Sequence, residues 1–212
     1  MIKTILLTGF EPFNKAKINP SWEAVKELKG WRGDGFAVEV RQLPCVFGMA
    51  NRVMAGLLDE LKPDVVIAVG QAGGRPELSV ERVAINVDDA SIADNDGQQP
   101  VDEAIVAGAP DAYFSTLPIK AIVQEMRERG LRAGVSQTAG TFVCNHVFYG
   151  LLHNTLGTKV RAGFIHVPFL PKQAKDGTPS MPLAEIIEGL RAAVQATVGT
   201  ETDLAVAGGA TH

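Results

Sequence analysis

The chain has 212 residues, a mass of 22.5 kDa and a formal net charge of −4 at pH 7. Its 46% hydrophobic and 21% charged residues are typical of a globular protein and exclude a wholly disordered chain. The mild acidic excess, with no run of lysine and arginine, argues against a partner that is nucleic acid. The length predicts a single domain spanning 1–212.

The predicted elements alternate between strands and helices along the chain. A short apolar run predicts a strand at 2–8, and a loop with two aromatic residues follows at 9–19. Proline in the first turn opens a predicted helix at 20–30. Alternating hydrophobicity predicts a strand at 36–42, and apolar residues at three-and-four spacing predict a helix at 49–61.

The second half of the chain continues this alternation. A continuous apolar run predicts a strand at 65–69, before a glycine-rich loop at 70–75. The remaining predicted elements are strands at 79–87, around 135 and at 160–167, and helices at 119–129, 144–156 and 184–198. The small and polar residues at 199–212 predict a frayed tail.

Alternating strands and helices predict an α/β fold, a three-layer α/β/α domain with a mainly parallel central sheet. Active sites of such sheets lie where loops leave the carboxyl ends of strands. The loops after Thr8, Val69 and Val167 are therefore the places where we expect the site.

One long segment carries no charge. The 26 residues from Ala133 to Thr158 contain no Asp, Glu, Lys or Arg, but their many polar residues and glycines exclude a membrane span. They predict buried chain, and they hold one of the two cysteines, Cys144. Two cysteines are too few for a disulfide framework, and the first residues lack a secretory signal. A reducing, cytoplasmic location with no membrane partner is therefore expected.

Three residues are candidates for nucleophilic catalysis. Cys144 lies where a helix is predicted to begin, and a helix N-terminus lowers the pKa of a thiol and can hold an oxyanion. His166 ends a predicted strand and is a better base than His146, because residues two apart on a helix do not face one another. Glu81 interrupts an apolar strand, and an inward carboxylate could orient a histidine. A structural cysteine, a packed histidine and a simple salt bridge of Glu81 remain alternatives.

Two other chemistries have weaker signals. Asp88, Asp89, Asp94 and Asp96 lack the ligand spacing of a metal site, and turn or capping roles explain them, so no metal and no cofactor are expected. The loop at 70–75 could cradle phosphate in a nucleoside-phosphorylase-like enzyme, but it matches no established phosphate-binding motif.

Several extended motifs resemble those of the pyroglutamyl peptidase I (pyrrolidone carboxyl peptidase) family. They occur in the family's order and cover nearly the whole chain. They are Thr8-Gly9-Phe10-Glu11-Pro12-Phe13, Ile18-Asn19-Pro20-Ser21, Glu81-Arg82-Val83-Ala84-Ile85-Asn86, Gly97-Gln98-Gln99-Pro100, Gly140-Thr141-Phe142-Val143-Cys144-Asn145 and Phe164-Ile165-His166-Val167-Pro168.

The resemblance implies a cytoplasmic cysteine peptidase that removes N-terminal pyroglutamate from peptides through a thioester. It implies the triad Cys144, His166 and Glu81, no metal, and a homo-oligomer, tetramer or dimer. It also implies a lactam pocket, to which it assigns Phe10, Phe13, Asn19, Gln71 and Phe142. A flat, uncharged lactam suits an aromatic slot with a few hydrogen-bond partners.

Three departures from the family pattern bear on turnover. Ser91 stands where the family commonly has an arginine implicated in holding the oxyanion, and Ala93 replaces a proline. Arg75 or Arg82 could substitute for that arginine. Asn14-Lys15 replaces the usual glycine pair after Phe13. The alternative function is therefore a pyroglutamate- or lactam-binding homologue with weak or no turnover.

Overall fold

The computed structural model describes residues 2–175 and 177–209. The strands are β1 Lys3–Phe10, β2 Arg32–Gly33, β3 Phe36–Leu43, β4 Val65–Gln71, β5 Leu78–Glu81, β6 Val83–Ile85, β7 Ala112–Phe114, β8 Ala133–Ser136 and β9 Arg161–Val167. The helices are α1 Pro20–Lys26, α2 Met49–Leu61, α3 Ile119–Glu128, α4 Val143–Thr155 and α5 Leu183–Gly199.

The central sheet has the strand order β2-β3-β1-β4-β9-β5-β8. Strands β3, β1, β4 and β9 run parallel to one another. Their sequences are nearly continuous apolar runs, as expected for parallel strands that are covered on both faces. The mainly parallel α/β sheet that the sequence predicts is confirmed.

One edge of this sheet runs the other way. Strand β5 is antiparallel to β9, and β8 follows the direction of β5. The short connection at 72–77 contains no helix, and a parallel return of the chain needs a longer crossover. The strand predicted at 79–87 is also divided at Arg82, because β6 leaves the main sheet and pairs with β7.

Helices cover the two faces of the sheet and complete the three layers. Helices α1, α3 and α5 contribute to one apolar core, and α2 and α4 to the other. Strand β1 shows the alternation directly, because Ile5 and Leu7 lie in the first core and Leu6 in the second. Among the described residues, every helix is too short or too polar to cross a membrane.

The segment after α5 differs from the frayed tail that the sequence predicts. The Asp203 carboxylate accepts hydrogen bonds from the backbone N–H groups of Lys120 and Ala121, at 3.0–3.2 Å. These N–H groups belong to the first turn of α3, which has no partner for them within the helix. The described part of the tail, 200–209, is therefore attached to the fold, and His212 lies outside the described residues.

Candidate active site

Cys144 is the second residue of helix α4, after the N-cap residue Phe142. Gly140, with a φ of 75°, provides a turn between β8 and the helix that glycine adopts readily. Among the described residues no side chain caps this helix start. The first N–H groups of α4 therefore remain able to donate to an oxyanion next to the sulfur.

The glycine at position 70 allows the Cys144 sulfur to approach the sheet. Gly70 of β4 pairs with His166 of β9 in the parallel register. A Cβ atom at residue 70 would lie 2.7 Å from the Cys144 Sγ and 2.8 Å from the Phe164 ring, too close for any side chain. Paired residues of adjacent strands point to the same face. The sulfur therefore lies on the face that carries the His166 imidazole.

A buried carboxylate orients this imidazole. Ser79 of β5 pairs with His166, so Glu81, two residues further along, points to the same face of the sheet. The His166 Nδ1 lies 2.7 Å from the Glu81 Oε1, and the two side chains are 4% and 0% exposed. When Nδ1–H donates to the carboxylate, Nε2 is left to exchange a proton with a neighbouring group. The structure thus brings Cys144, His166 and Glu81 together.

Arg75 is a second partner of the same carboxylate, and sequence reasoning missed this role. Its Nη1 donates to the Glu81 Oε1 at 2.7 Å and to the Ser136 hydroxyl at 3.2 Å. Its Nη2 donates to the Thr138 carbonyl at 2.8 Å. The guanidinium is occupied in holding Glu81, so it does not replace the arginine that is absent at position 91. Arg82 is directed elsewhere, to the Gly208 carbonyl.

The surroundings of the Cys144 thiol favour its protonated form. Burial raises its pKa to about 12, the negative charge of Glu81 acts in the same direction, and the Arg75 guanidinium opposes both. Burial therefore acts against the lower pKa that the helix N-terminus predicts. A protonated thiol needs a base, and His166 is the imidazole on the same face of the sheet.

Aromatic side chains form a slot beside the sulfur. The half-buried rings of Phe13 and Phe142 lie 5.9 Å apart between centroids. Phe47, which sequence reasoning missed, packs edge-on against Phe142 at 5.3 Å. Phe47 follows the carboxyl end of β3, where active-site loops are expected, and this position could have indicated its role. Phe10 is only 2% exposed and packs against Phe164, in the apolar core against which Phe13 and Phe142 pack.

The second cysteine is also part of this region. Burial raises the pKa of the Cys45 thiol, and a charge on Cys144 would raise it further, so the two thiols lie within electrostatic reach of one another. The Cys45 N–H donates to the Glu11 carboxylate at 3.0 Å, and the Asn95 amide donates to the same oxygen at 2.8 Å. Glu11 therefore joins three loops around the slot.

The two predicted polar contacts of the pocket differ in their surroundings. The Asn19 Oδ1 accepts from the Ser21 N–H and hydroxyl at 3.1 and 2.8 Å, and its Nδ2 donates to the Glu11 carbonyl at 3.0 Å. Asn19 is 2% exposed and caps α1, so its geometry favours positioning the first loop over touching a lactam. Gln71 ends β4, where its Oε1 accepts from the Gln173 amide at 3.1 Å.

His146 belongs to a different buried pair. Its Nε2 accepts from the Gly48 N–H at 2.9 Å, so its Nδ1 carries the hydrogen that is donated to Asp88 at 2.7 Å. Both ring nitrogens are occupied by the structure. This agrees with the prediction that His166, and not His146, is the base.

Asp94 holds the loop that follows β6. The Asp94 carboxylate accepts from the backbone N–H groups of Phe47, Asp96 and Gln98 at 2.8–2.9 Å, which is the turn role predicted from the sequence. Within the described ranges no group of three or more His, Cys, Asp and Glu side chains could hold a metal ion. Ser91 of this loop is exposed.

The glycine-rich loop at 70–75 is not arranged as a phosphate cradle. The Phe169 ring covers Gly73, leaving no room there for another group. The Ala72 N–H donates to the Val167 carbonyl at 2.9 Å, and the Arg75 N–H points back to Ala72 at 3.3 Å. The nucleoside-phosphorylase-like alternative therefore has no support in this loop.

A thiol at a helix start lies here on the same sheet face as an imidazole that a buried carboxylate orients, an arrangement typical of hydrolases with a nucleophilic cysteine. Among such proteins, the chain belongs to the pyroglutamyl peptidase family, whose model matches residues 3–200.

Relatives of known name agree with this membership. The chain is 61% identical to a pyrrolidone-carboxylate peptidase of Cupriavidus pinatubonensis, with 100% of both chains covered. It is 59% identical to pyrrolidone-carboxylate peptidase 1 of Ralstonia nicotianae, with 99% of both covered. The crystal structure of pyroglutamyl peptidase I from Bacillus amyloliquefaciens is similar, with a TM-score of 0.96 and 45% identity over 98% of this chain and 100% of that one. A mutant pyrrolidone carboxyl peptidase from Pyrococcus furiosus has a TM-score of 0.90 at 43% identity, over 92% and 98%.

Proposed function

We propose that this protein is a cysteine exopeptidase that removes N-terminal pyroglutamate from peptides, with Cys144, His166 and Glu81 as its catalytic triad. The observation that carries the proposal is the position of the Cys144 sulfur. It lies against Gly70, the strand neighbour of a histidine whose Nδ1 is 2.7 Å from a fully buried glutamate. The three residues together favour turnover over the alternative of a homologue that only binds the lactam.

The reaction follows from these positions. His166 Nε2 accepts the thiol proton while Cys144 Sγ attacks the carbonyl that follows the lactam ring. The N–H groups at the start of α4 stabilise the oxyanion, and Glu81 stabilises the imidazolium. His166 then donates the proton to the leaving amine, and a thioester forms. Water, deprotonated by the imidazole, attacks the thioester and releases pyroglutamate and the thiol. No step needs a metal or a cofactor.

The chemistry of the slot favours pyroglutamate over an N-terminal residue with a free, charged amine. Pyroglutamate is flat and uncharged, and it would pack against the half-buried rings of Phe13 and Phe142, whose centroids are too close, at 5.9 Å, to admit another ring between them. Gln71 supplies a polar contact at the end of β4. A free N-terminal amine would lose its hydration there, and the nearby Glu11 carboxylate already accepts from the Cys45 N–H and the Asn95 amide, so binding of the amine is disfavoured.

We also propose that the protein is cytoplasmic and that residues 1–212 form a single domain. The chain is further proposed to assemble into a homo-oligomer, a dimer or a tetramer. Both cysteines are free thiols, as a reducing compartment would keep them.

Phe114 and Leu156 are 69% and 65% exposed, next to Tyr113 and His153, which hydrogen-bond each other at 3.0 Å. Exposed apolar side chains of this size suit contact between copies. Light scattering would test it, since a monomer at all concentrations contradicts the oligomer.

A fluorogenic pyroglutamyl-coumarin amide tests the activity under reducing conditions. We expect the wild type to release the coumarin, and Cys144→Ser to lose nearly all of this activity. Cys45→Ser is the matched control, since Cys45 is the other free thiol near the slot and is expected to keep turnover. Absence of cleavage by the wild type would overturn the activity, and cleavage by Cys144→Ser would overturn the mechanism.

A further inference from the structure

A sizeable cavity of the described molecule lies next to the candidate site and not within it. It has a volume of about 780 Å³ and opens between the first loop and the segment after β9. Phe13 and Gln71, which belong to the lactam pocket, also line this cavity, but the three candidate catalytic residues do not. Its size is that of a site for a small ligand or a few amino-acid residues.

The charge of this cavity is opposite to that of the chain. Four lysines line it, and none of its described lining residues is acidic, although the whole chain carries a net charge of −4. None of the four forms an ion pair with an acidic side chain among the described residues. A concave surface lined by charges of one sign concentrates ligands of the opposite sign. These lysines are Lys15, Lys17, Lys172 and Lys175.

One of these lysines is held in an unfavourable backbone conformation. Asn14 and Lys15 have φ values of 50° and 60°, in the left-handed region that favours glycine. The turn is closed by a hydrogen bond of 3.0 Å from the Ala16 N–H to the Phe13 carbonyl. Glycine would relieve this strain at residue 15, but it would remove a positive charge from the cavity.

The cavity adjoins the aromatic slot at Phe13, which lines the cavity and whose ring lies 5.9 Å from the Phe142 ring. Gln71, on the cavity wall, directly follows Gly70, which the Cys144 Sγ approaches, but its side chain points to the other face of the sheet, where it accepts a hydrogen bond from Gln173. A peptide with its lactam ring beside Phe13 and its first carbonyl at the sulfur must continue away from the slot. The cavity beyond Phe13 is the adjoining space for that part of the peptide.

We propose that this lysine-lined cavity binds the residues that follow pyroglutamate and selects peptides that carry a carboxylate there. The carboxylate can be an acidic side chain near the cleaved bond or the C-terminus of a short peptide. This inference rests on the proposed function, and it adds the class of substrate. An exposed ion pair contributes up to about a fivefold effect, so several lysines together give roughly a tenfold preference at low salt.

The test compares three pyroglutamyl peptides of equal length. One has neutral side chains and an amidated end, the second has a glutamate after pyroglutamate, and the third has a free C-terminal carboxylate. We expect the wild type to cleave the second or the third with the higher kcat/KM, and the preference to diminish at high salt. Which of the two is favoured identifies the source of the carboxylate. Equal kcat/KM for all three at low salt would overturn the proposal.

A pair of glycine variants separates charge from backbone strain. Lys15→Gly should reduce the preference for a carboxylate by about two- to fivefold. Lys62→Gly is the matched control, because Lys62 also has a positive φ, of 43°, but caps α2 outside the cavity. It should leave both the activity and the preference unchanged. An equal change in both variants would contradict a role of the lysine charge.

A binding measurement distinguishes failure of this inference from failure of the proposed function. Calorimetric titration of the Cys144→Ser protein with the same three peptides reports the carboxylate preference in Kd, without turnover. Tighter binding of the carboxylate peptides supports the cavity's role even if the wild type cleaves nothing. Equal Kd values together with normal cleavage would reject the cavity's role and leave the peptidase activity standing.

Discussion

Replacing Arg75 by methionine removes one of the two partners of the buried Glu81 carboxylate. Glu81 is 0% exposed, its Oε1 accepts from both Arg75 and His166, and its Oε2 has no partner among the described residues. Breaking a fully buried ion pair costs roughly 3–5 kcal/mol. The Arg75 side chain is 30% exposed, so solvent should reduce this cost to about 2–3 kcal/mol. A misplaced imidazole should also lower kcat/KM on the order of 10- to 100-fold.

Urea unfolding, followed by the fluorescence of Trp22 and Trp31, measures the change in the free energy of unfolding. The control is Arg41→Met, because Arg41 pairs with Glu39 at 3.2 Å where both side chains are about one-third to one-half exposed. This change should cost no more than about 1 kcal/mol.

A double variant tests the physical cause. Glu81→Gln added to Arg75→Met removes the uncompensated buried charge, so the double variant should be more stable than Arg75→Met and still inactive. The reasoning is refuted if Arg75→Met destabilises no more than the exposed control, or if the added Glu81→Gln restores no stability.

Other changes test the remaining parts of the site. Gly70→Ala should lower kcat/KM at least about 100-fold, because its Cβ would displace the Cys144 sulfur; Gly56→Ala, with open space in α2, should keep activity and gain about 0.5–1 kcal/mol. Ser91→Arg should raise kcat if an oxyanion donor is lacking, by roughly 10- to 100-fold, and an unchanged kcat would show that the helix N–H groups suffice. The folded-state pKa of Cys144, about 12, lies above its ordinary value of 9.0, so its contribution to stability is full below pH 9 and declines as the pH rises towards 12. Unfolding of Cys144→Ser should show a weaker decline over this window, and identical pH profiles would contradict the shift.

Local patterns were sufficient to predict most elements of the fold. The apolar runs of β1, β4 and β9 and the spaced apolar residues of α2 are properties of consecutive residues, which sequence reports directly. The antiparallel pairing of β5 with β9 joins segments that are far apart along the chain. Strand β7 has three residues and one half-buried side chain, so it has little hydrophobic periodicity to detect. The direction of β5 and the presence of β7 both depend on pairing between segments that are distant in sequence. A pattern of consecutive residues does not report such pairing.

In the candidate site, too, local motifs were informative, whereas contacts between distant segments were not predictable. Extended motifs indicated Cys144, His166 and Glu81, and the structure brings them together. The pKa of the thiol was not predictable, because burial by distant residues acts against the local helix start. The hydrogen bonds of Arg75 to Glu81 and Thr138 also depend on how loops meet in space. The raised pKa and these hydrogen bonds arise from tertiary packing, which cannot be deduced directly from residue types and their spacing along the chain.

The central claim is that the Cys144 sulfur forms the thioester with the pyroglutamyl group. Rapid acid quenching during turnover of a pyroglutamyl peptide, followed by mass spectrometry of the digested protein, measures this directly. We predict a pyroglutamyl adduct on the peptide that contains Cys144 and none on the peptide that contains Cys45. An adduct on Cys45, or rapid turnover by a protein whose Cys144 has been replaced by serine, would contradict the account.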